Sequence, residues 1–223
     1  MKYDFIANAL SLQAFKEMDY KAVAELALPI ELMMENAGLH LARVIARKAS
    51  PKSTILIGAG NGNNGGGGLV AARRLAAWGY NVYLDLPIEI TKELPLQQLK
   101  RALLYGAKRE AIKNPDVWVD AYLGFSQKLP LGNLFETIIA KANSANAIRI
   151  SLDLPMGISE GDSSPRFNAD HIITLAAPKK LLIPLLETDT QIYIADLGIP
   201  EKYYGDIGVA MPPFAKEQLY FVS

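Results

Sequence analysis

Gly58-Ala59-Gly60-Asn61-Gly62-Asn63-Asn64-Gly65-Gly66-Gly67-Gly68 constrains this chain more than any other segment, because of what flanks it. Thr54–Ile57 before it reads as a short apolar strand, and Leu69–Trp78 after it as a helix stopped by Gly79. A flexible linker does not stand in that context. Glycine permits positive φ and lets a ligand approach the backbone amides. A helix beginning near Gly67 would turn its unpaired N–H groups and positive dipole end toward an anion. A pyrophosphate suits that chemistry. No Gly-Lys-Ser/Thr follows, so the lysine and the magnesium-binding hydroxyl of a phosphoryl-transfer loop are missing. Nor is this a clean dinucleotide fingerprint: the glycines are too many, and Asp85 is the only acid near the end of the second strand.

The surroundings extend the same reading. Apolar residues recur at helical spacing over Leu12–Leu26 and over Ile30–Ala46, with Pro29 between the two helices and Pro51 after the second. Met33 and Met34 read as core packing. Strand and helix then alternate. Asn81–Leu86, Val117–Leu123, Ala147–Leu154, His171–Ala176 and Gln191–Leu197 read as strands, Pro95–Tyr105 and Leu134–Ala142 as helices, and Lys108–Ile112 as a short extra strand. The polar Ser159–Asn168 reads as a plain connection, polar enough to be a mobile surface loop. These elements fit one α/β domain over residues 1–223 with a mostly parallel sheet.

Composition narrows the function. Lys plus Arg and Asp plus Glu are 23 each, so no net field favours nucleic acid or an anionic membrane. The absence of cysteine excludes disulfides, thiolate nucleophiles and cysteine metal clusters and suits a reducing compartment. The N-terminus lacks a secretory pattern and no apolar run approaches a membrane span, so a soluble, cytoplasmic protein is expected. His40 and His171 have no metal-ligand spacing and read as structural. Lys179 and Lys180 read as a solvated loop end rather than a phosphate clamp.

Two carboxylates stand where a doubly wound sheet binds ligands, beyond the carboxyl ends of its strands. Asp120, in Trp118-Val119-Asp120-Ala121, is an acid within an apolar strand, where burial requires a donor, a cation or a proton. Asp153, in Ser151-Leu152-Asp153-Leu154-Pro155, ends the next strand in the same way. A general acid/base, a metal ligand and a loop cap are all open to Asp120.

Taken together, Met34-Glu35-Asn36-Ala37-Gly38, Gly62-Asn63-Asn64-Gly65-Gly66, Val119-Asp120-Ala121, Leu123-Gly124-Phe125, Asp153-Leu154-Pro155, Ala177-Pro178-Lys179 and Leu197-Gly198-Ile199-Pro200 make the chain resemble the NAD(P)H-hydrate epimerase family, the YjeF N-terminal domain. The resemblance implies a three-layer α/β/α Rossmann-like domain, commonly a homodimer, that interconverts the R and S epimers of hydrated NADH or NADPH (NADHX and NADPHX). The S form then passes to an ADP- or ATP-dependent dehydratase. Carried over by position, Asn63, Asn64, Gly65, Gly66 and Gly67, the run Gly124, Phe125, Ser126, Gln127, Lys128, Leu129 and Pro130, and Asp153 would line the hydrated dinucleotide. Asn64 and Asp120 would bind a potassium ion, and Asp120 would assist proton transfer. Two positions depart from the family pattern. Gly67 replaces an acid, and Met156 replaces a hydroxyl ligand of the cation, where a thioether is a poor substitute. The alternative implied by these departures is a catalytically weakened nucleotide-binding or protein-interaction module of the same fold.

Overall fold

The computed structural model describes residues 3–160, 165–217 and 219–222. Helix α1 (Leu12–Leu26) starts where Ser11 Oγ accepts the Ala14 N–H at 3.2 Å and ends at the left-handed Ala27. Helix α2 (Ile30–Lys48) begins after Pro29 and ends in Arg47 and Lys48, cations suited to a helix C-terminus. Then follow β1 (Thr54–Ala59), α3 (Asn63–Ala77), β2 (Asn81–Asp85), α4 (Glu93–Leu104), β3 (Val117–Ala121), α5 (Asn133–Ser144), β4 (Ile148–Leu152), β5 (His171–Leu175) and β6 (Gln191–Ala195). Helix α6 (Glu201–Asp206), strand β7 (Leu219–Val222) and the 3₁₀ segment Lys180–Glu187 were not foreseen. The expected strand at Lys108–Ile112 reduces to a single bridge between Lys108 and Tyr83 of β2, because Arg109, Glu110 and Lys113 are exposed with no core to face.

The seven strands lie in the order β2-β1-β3-β4-β5-β6-β7, all parallel except the β6–β7 pair. Alternating side chains divide each strand between two cores. Ile55, Ile57, Val117 and Val119 face the side covered by α2, α3 and α4. Leu56 and Trp118 face the side covered by α1, α5 and α6. The result is the expected α/β/α sandwich. The chain passes from β1 outward to β2, then returns to place β3 on the other side of β1, so the strand order reverses between β1 and β3.

The glycine run departs from expectation. Helix α3 starts at Asn63, four residues before the expected start near Gly67, and Gly65 to Gly68 lie inside it. No glycine of the run has positive φ. What these positions require is space: a Cβ at Gly68 would lie 2.6 Å from Ala121 Cβ, and one at Gly66 would lie 2.6 Å from the end of Met34. A Cβ at Gly65 would strike the Gly60 carbonyl, and one at Gly60 the Tyr122 carbonyl. Four glycines in a helix interior each cost roughly 0.8–1 kcal/mol relative to alanine. Here they let α3 seat on the sheet and on α2. Of the polar connection Ser159–Asn168, residues 161–164 lie outside the described residues, and Phe167 is buried with its N–H on Met156 O at 2.8 Å.

Candidate active site

Three loops converge at the carboxyl ends of β1, β3 and β4 around a cleft of about 650 Å³. This is the switch point of the sheet, where such folds bind ligands, and the volume suits a small-molecule site. The N-terminus of α3 opens into it through Gly62, Asn63, Asn64 and Gly67. Gly62 occupies the N-cap without a side-chain cap, so amides of the first turn stay available to an anion. Asn61 is committed elsewhere: its Oδ1 accepts the Thr91 and Lys92 N–H groups at 2.8 and 2.9 Å, tying this turn to the start of α4.

The opposite wall is the segment after β3. Gly124, Phe125, Ser126 and Gln127 line the cleft, whereas Lys128, Leu129 and Pro130 lead away toward α5. Gly65 and Gly66 are also absent from the wall, since both are buried against the β1–α3 turn and α2. Gly67 does line it. It adds no side chain to this stretch of wall, and a Cβ there would lie 3.0 Å from Leu152 Cδ2.

Asp153 projects from the end of β4 with φ of 68°, an uncommon conformation for a residue other than glycine. Its Oδ2 accepts the Phe125 N–H at 3.0 Å, and its Oδ1 meets Lys179 Nζ at 2.8 Å. Lys179 is therefore not a solvated loop end. Its side chain is wholly buried, donates to Thr174 Oγ1 at 3.0 Å and Leu175 O at 2.9 Å, and lies 3.8 Å from the Phe15 ring centroid. The cause is the N-terminal segment. Leu10 N–H bonds Pro178 O and Lys180 N–H bonds Leu10 O, both at 2.9 Å, which closes the Ala177–Lys180 turn against the chain before α1 and turns Lys179 inward. Lys180 alone is exposed as expected. Burial lowers the pKa of Lys179, and the Asp153 carboxylate opposes that shift.

Asp120 sits on β3 below the cleft, fully buried and away from its wall. Its Oδ2 accepts the Met156 N–H at 2.7 Å and the Ser151 hydroxyl at 3.1 Å; its Oδ1 accepts the Tyr122 N–H at 3.4 Å. Burial raises its pKa to about 7 despite these donors. Met156 thus reaches Asp120 through its amide, while its side chain packs in the hydrophobic core. Asn64 donates through Nδ2 to Leu123 O at 2.7 Å and Leu152 O at 3.2 Å, and its Oδ1 is buried without a partner. An orphaned buried oxygen fits a hard monovalent cation, and so does the Asp120 carboxylate; the Met156 thioether does not. Among the described residues no group of three or more His, Cys, Asp or Glu could hold a metal ion, and no helix is long and apolar enough to cross a membrane. Asp85, the acid at the end of β2, is held by the Tyr122 hydroxyl at 2.5 Å and takes no part in the wall.

Helix α1 supplies a further wall that sequence reasoning missed, with Phe15, Lys16, Asp19 and Tyr20 facing the cleft. One signal for it was present. Asp19 lies four residues after Phe15, so it interrupts the apolar stripe of Phe15, Met18 and Ala22.

Comparison with known proteins agrees with this fold. A crystal structure of the yeast protein ynu0 superposes with a TM-score of 0.85 at 24% identity, covering 96% of this chain and 99% of that one, which shows a shared fold. A protein of Rhodopirellula baltica named NAD(P)H-hydrate epimerase is 33% identical over 209 residues, 86% of this chain and 84% of its own. A Thermofilum pendens protein named bifunctional NAD(P)H-hydrate repair enzyme Nnr is 28% identical, with 86% of this chain covering 40% of it. Residues 30–181, which run from α2 through the glycine helix and both acidic strand ends to Lys179, match the model of the YjeF-related protein N-terminus, and the chain belongs to that family.

Proposed function

We propose that this protein is an NAD(P)H-hydrate epimerase that interconverts the R and S forms of hydrated NADH and NADPH. The observation behind this reading is the uncapped α3 N-terminus opening, with Gly124 to Gln127 and Asp153, into a single cleft at the switch point. The relative named as an epimerase over most of both chains supports it. The α3 amides would take the pyrophosphate, and the wall after β3 would hold the hydrated nicotinamide half in register with the acids.

Asn64 and Asp120 would hold a potassium ion, with Met156 contributing its amide to Asp120 rather than a ligand atom. When bound, the cation would supply a fixed positive charge beneath the dinucleotide. Potassium chloride is expected to raise the melting temperature of the wild type above that in choline chloride, and to have no such effect on Asn64→Ala. An equal response in both proteins would remove the cation from this site. The dehydratase that consumes the S form would be a separate partner, a pairing that the bifunctional relative supports. The reading extends to a homodimer in the cytoplasm.

Purified protein mixed with R-NADHX and an excess of an S-specific dehydratase is expected to convert the whole pool, and Asp153→Ala to do so far more slowly. A specific observation favours one other reading: at Gly67 the cleft wall has no side chain where the resemblance implies an acid. If the domain is a binding module, calorimetry will show nucleotide binding with no turnover, and Gly67→Asp will restore conversion.

A further inference from the structure

Of the three acids at or below the cleft, two are already committed. Asp120 is buried with both oxygens receiving hydrogen bonds, and Asp153 is fixed by Lys179 and the Phe125 amide. Asp19 differs. It lines the cleft from α1, half-buried, and among the described residues its carboxyl has no hydrogen bond or ion pair. Its surroundings also disfavour its charge: desolvation and the Asp153 carboxylate raise its pKa, against a smaller opposing effect of Lys179. An unpartnered carboxyl held against a like charge in a cleft has no structural account, and such groups mark sites of proton transfer.

We propose that Asp19 is a further catalytic residue, the carboxyl that touches the ring hydroxyl of the hydrated nicotinamide and moves its proton. The inference rests on the epimerase reading. In the outgoing half of the reaction the Asp19 carboxyl gives its proton to the hydroxyl, the carbon–oxygen bond breaks, and water departs with the bonding pair. The ring-nitrogen lone pair then closes a carbon–nitrogen double bond. In the return half water adds to the opposite face, the new carbon–oxygen bond restores the nitrogen lone pair, and the added water's spare proton passes to solvent. Solvent returns a proton to Asp19, so no atom or electron is gained or lost.

This role makes a prediction that a structural residue would not meet. Asp19→Asn removes a charge that the fold disfavours and no contact that it uses, so the variant should melt no lower than the wild type. Its kcat for R-NADHX conversion should fall by about 10²-fold or more, the usual scale for a lost acid/base group, with KM within a few-fold. Asp19→Ser should behave likewise. Glu17→Gln, an exposed charge change on the same helix, should leave kcat unchanged. Two outcomes overturn the proposal while the epimerase reading stands: an active wild type with Asp19→Asn within three-fold of its kcat, or variants whose activity falls only in step with their melting temperature. An inert wild type that binds nucleotide overturns the epimerase reading and this proposal with it.

Discussion

Lys179 shows how much of the site is decided by single side chains. Its ammonium and the Asp153 carboxylate are both out of water, so neither tolerates the loss of the other. Lys179→Met should destabilise the protein by about 3–5 kcal/mol in urea unfolding, as uncompensated buried charges do. The double variant Lys179→Met/Asp153→Asn should recover part of that loss, and strictly additive losses would show that the pair is not coupled. In the sequence, Ala177-Pro178-Lys179-Lys180 offers two adjacent cations after a strand, and nothing local tells them apart. The difference arises from Leu10, whose backbone bonds to Pro178 and Lys180 turn one lysine inward and leave the other in solvent. The places of Asp153 and Asp120 near the strand ends were legible because an acid in an apolar strand is conspicuous, but the burial of Asp120 below the cleft was not. Asp19 could have been read from its place four residues after Phe15, but one polar residue on a helix face is a weak signal without the opposing wall.

At the scale of elements, α3 reverses the usual meaning of glycine. Replacing an interior helical glycine by alanine ordinarily gains up to about 1 kcal/mol. Gly68→Ala should instead destabilise by about 1–3 kcal/mol, because its Cβ would lie 2.6 Å from Ala121 Cβ and the helix would have to lift from the sheet. Chemical denaturation measures the sign, and a stabilised variant would show that α3 can shift without penalty. Strand–helix alternation and the parallel sheet were readable from the period of the apolar residues. The start of α3 was not, since propensity argues against a helix through Gly65 to Gly68 and only the close approach of Ala121 and Met34 explains one. Strand β7 was missed because four residues beyond the last parallel strand carry little pattern, and its antiparallel pairing with β6 comes from the return of the chain.

At the scale of the whole molecule, buried titratable groups couple the fold to pH. His40 in α2 is buried, and desolvation lowers its pKa from 6.5 to about 4. The unfolded chain therefore binds the extra proton first. Stability from this group is complete above pH ~6.5 and declines as pH falls toward ~4, by an amount on the order of 3 kcal/mol. The Asp120 shift has the opposite sign over much of the same range, stability falling as pH rises toward about 7, so the two contributions partly cancel. Comparison with His40→Gln separates the two. The variant should lose less melting temperature than the wild type between pH 7 and pH 5, and an unchanged difference would exclude His40 as a source of acid sensitivity.

On the proposed reading, the fold brings the α3 N-terminus to the pyrophosphate, and the wall after β3 and the acids Asp153 and Asp19 to the hydrated ring. An epimerase must then work from either side. Chromatographic separation of the epimers over time, starting from pure R-NADHX and from pure S-NADHX without a dehydratase, tests this directly. Catalytic amounts of the protein should bring both samples to the same mixture faster than the spontaneous reaction does. If neither sample approaches that mixture faster with the protein than without it, the protein is not an epimerase.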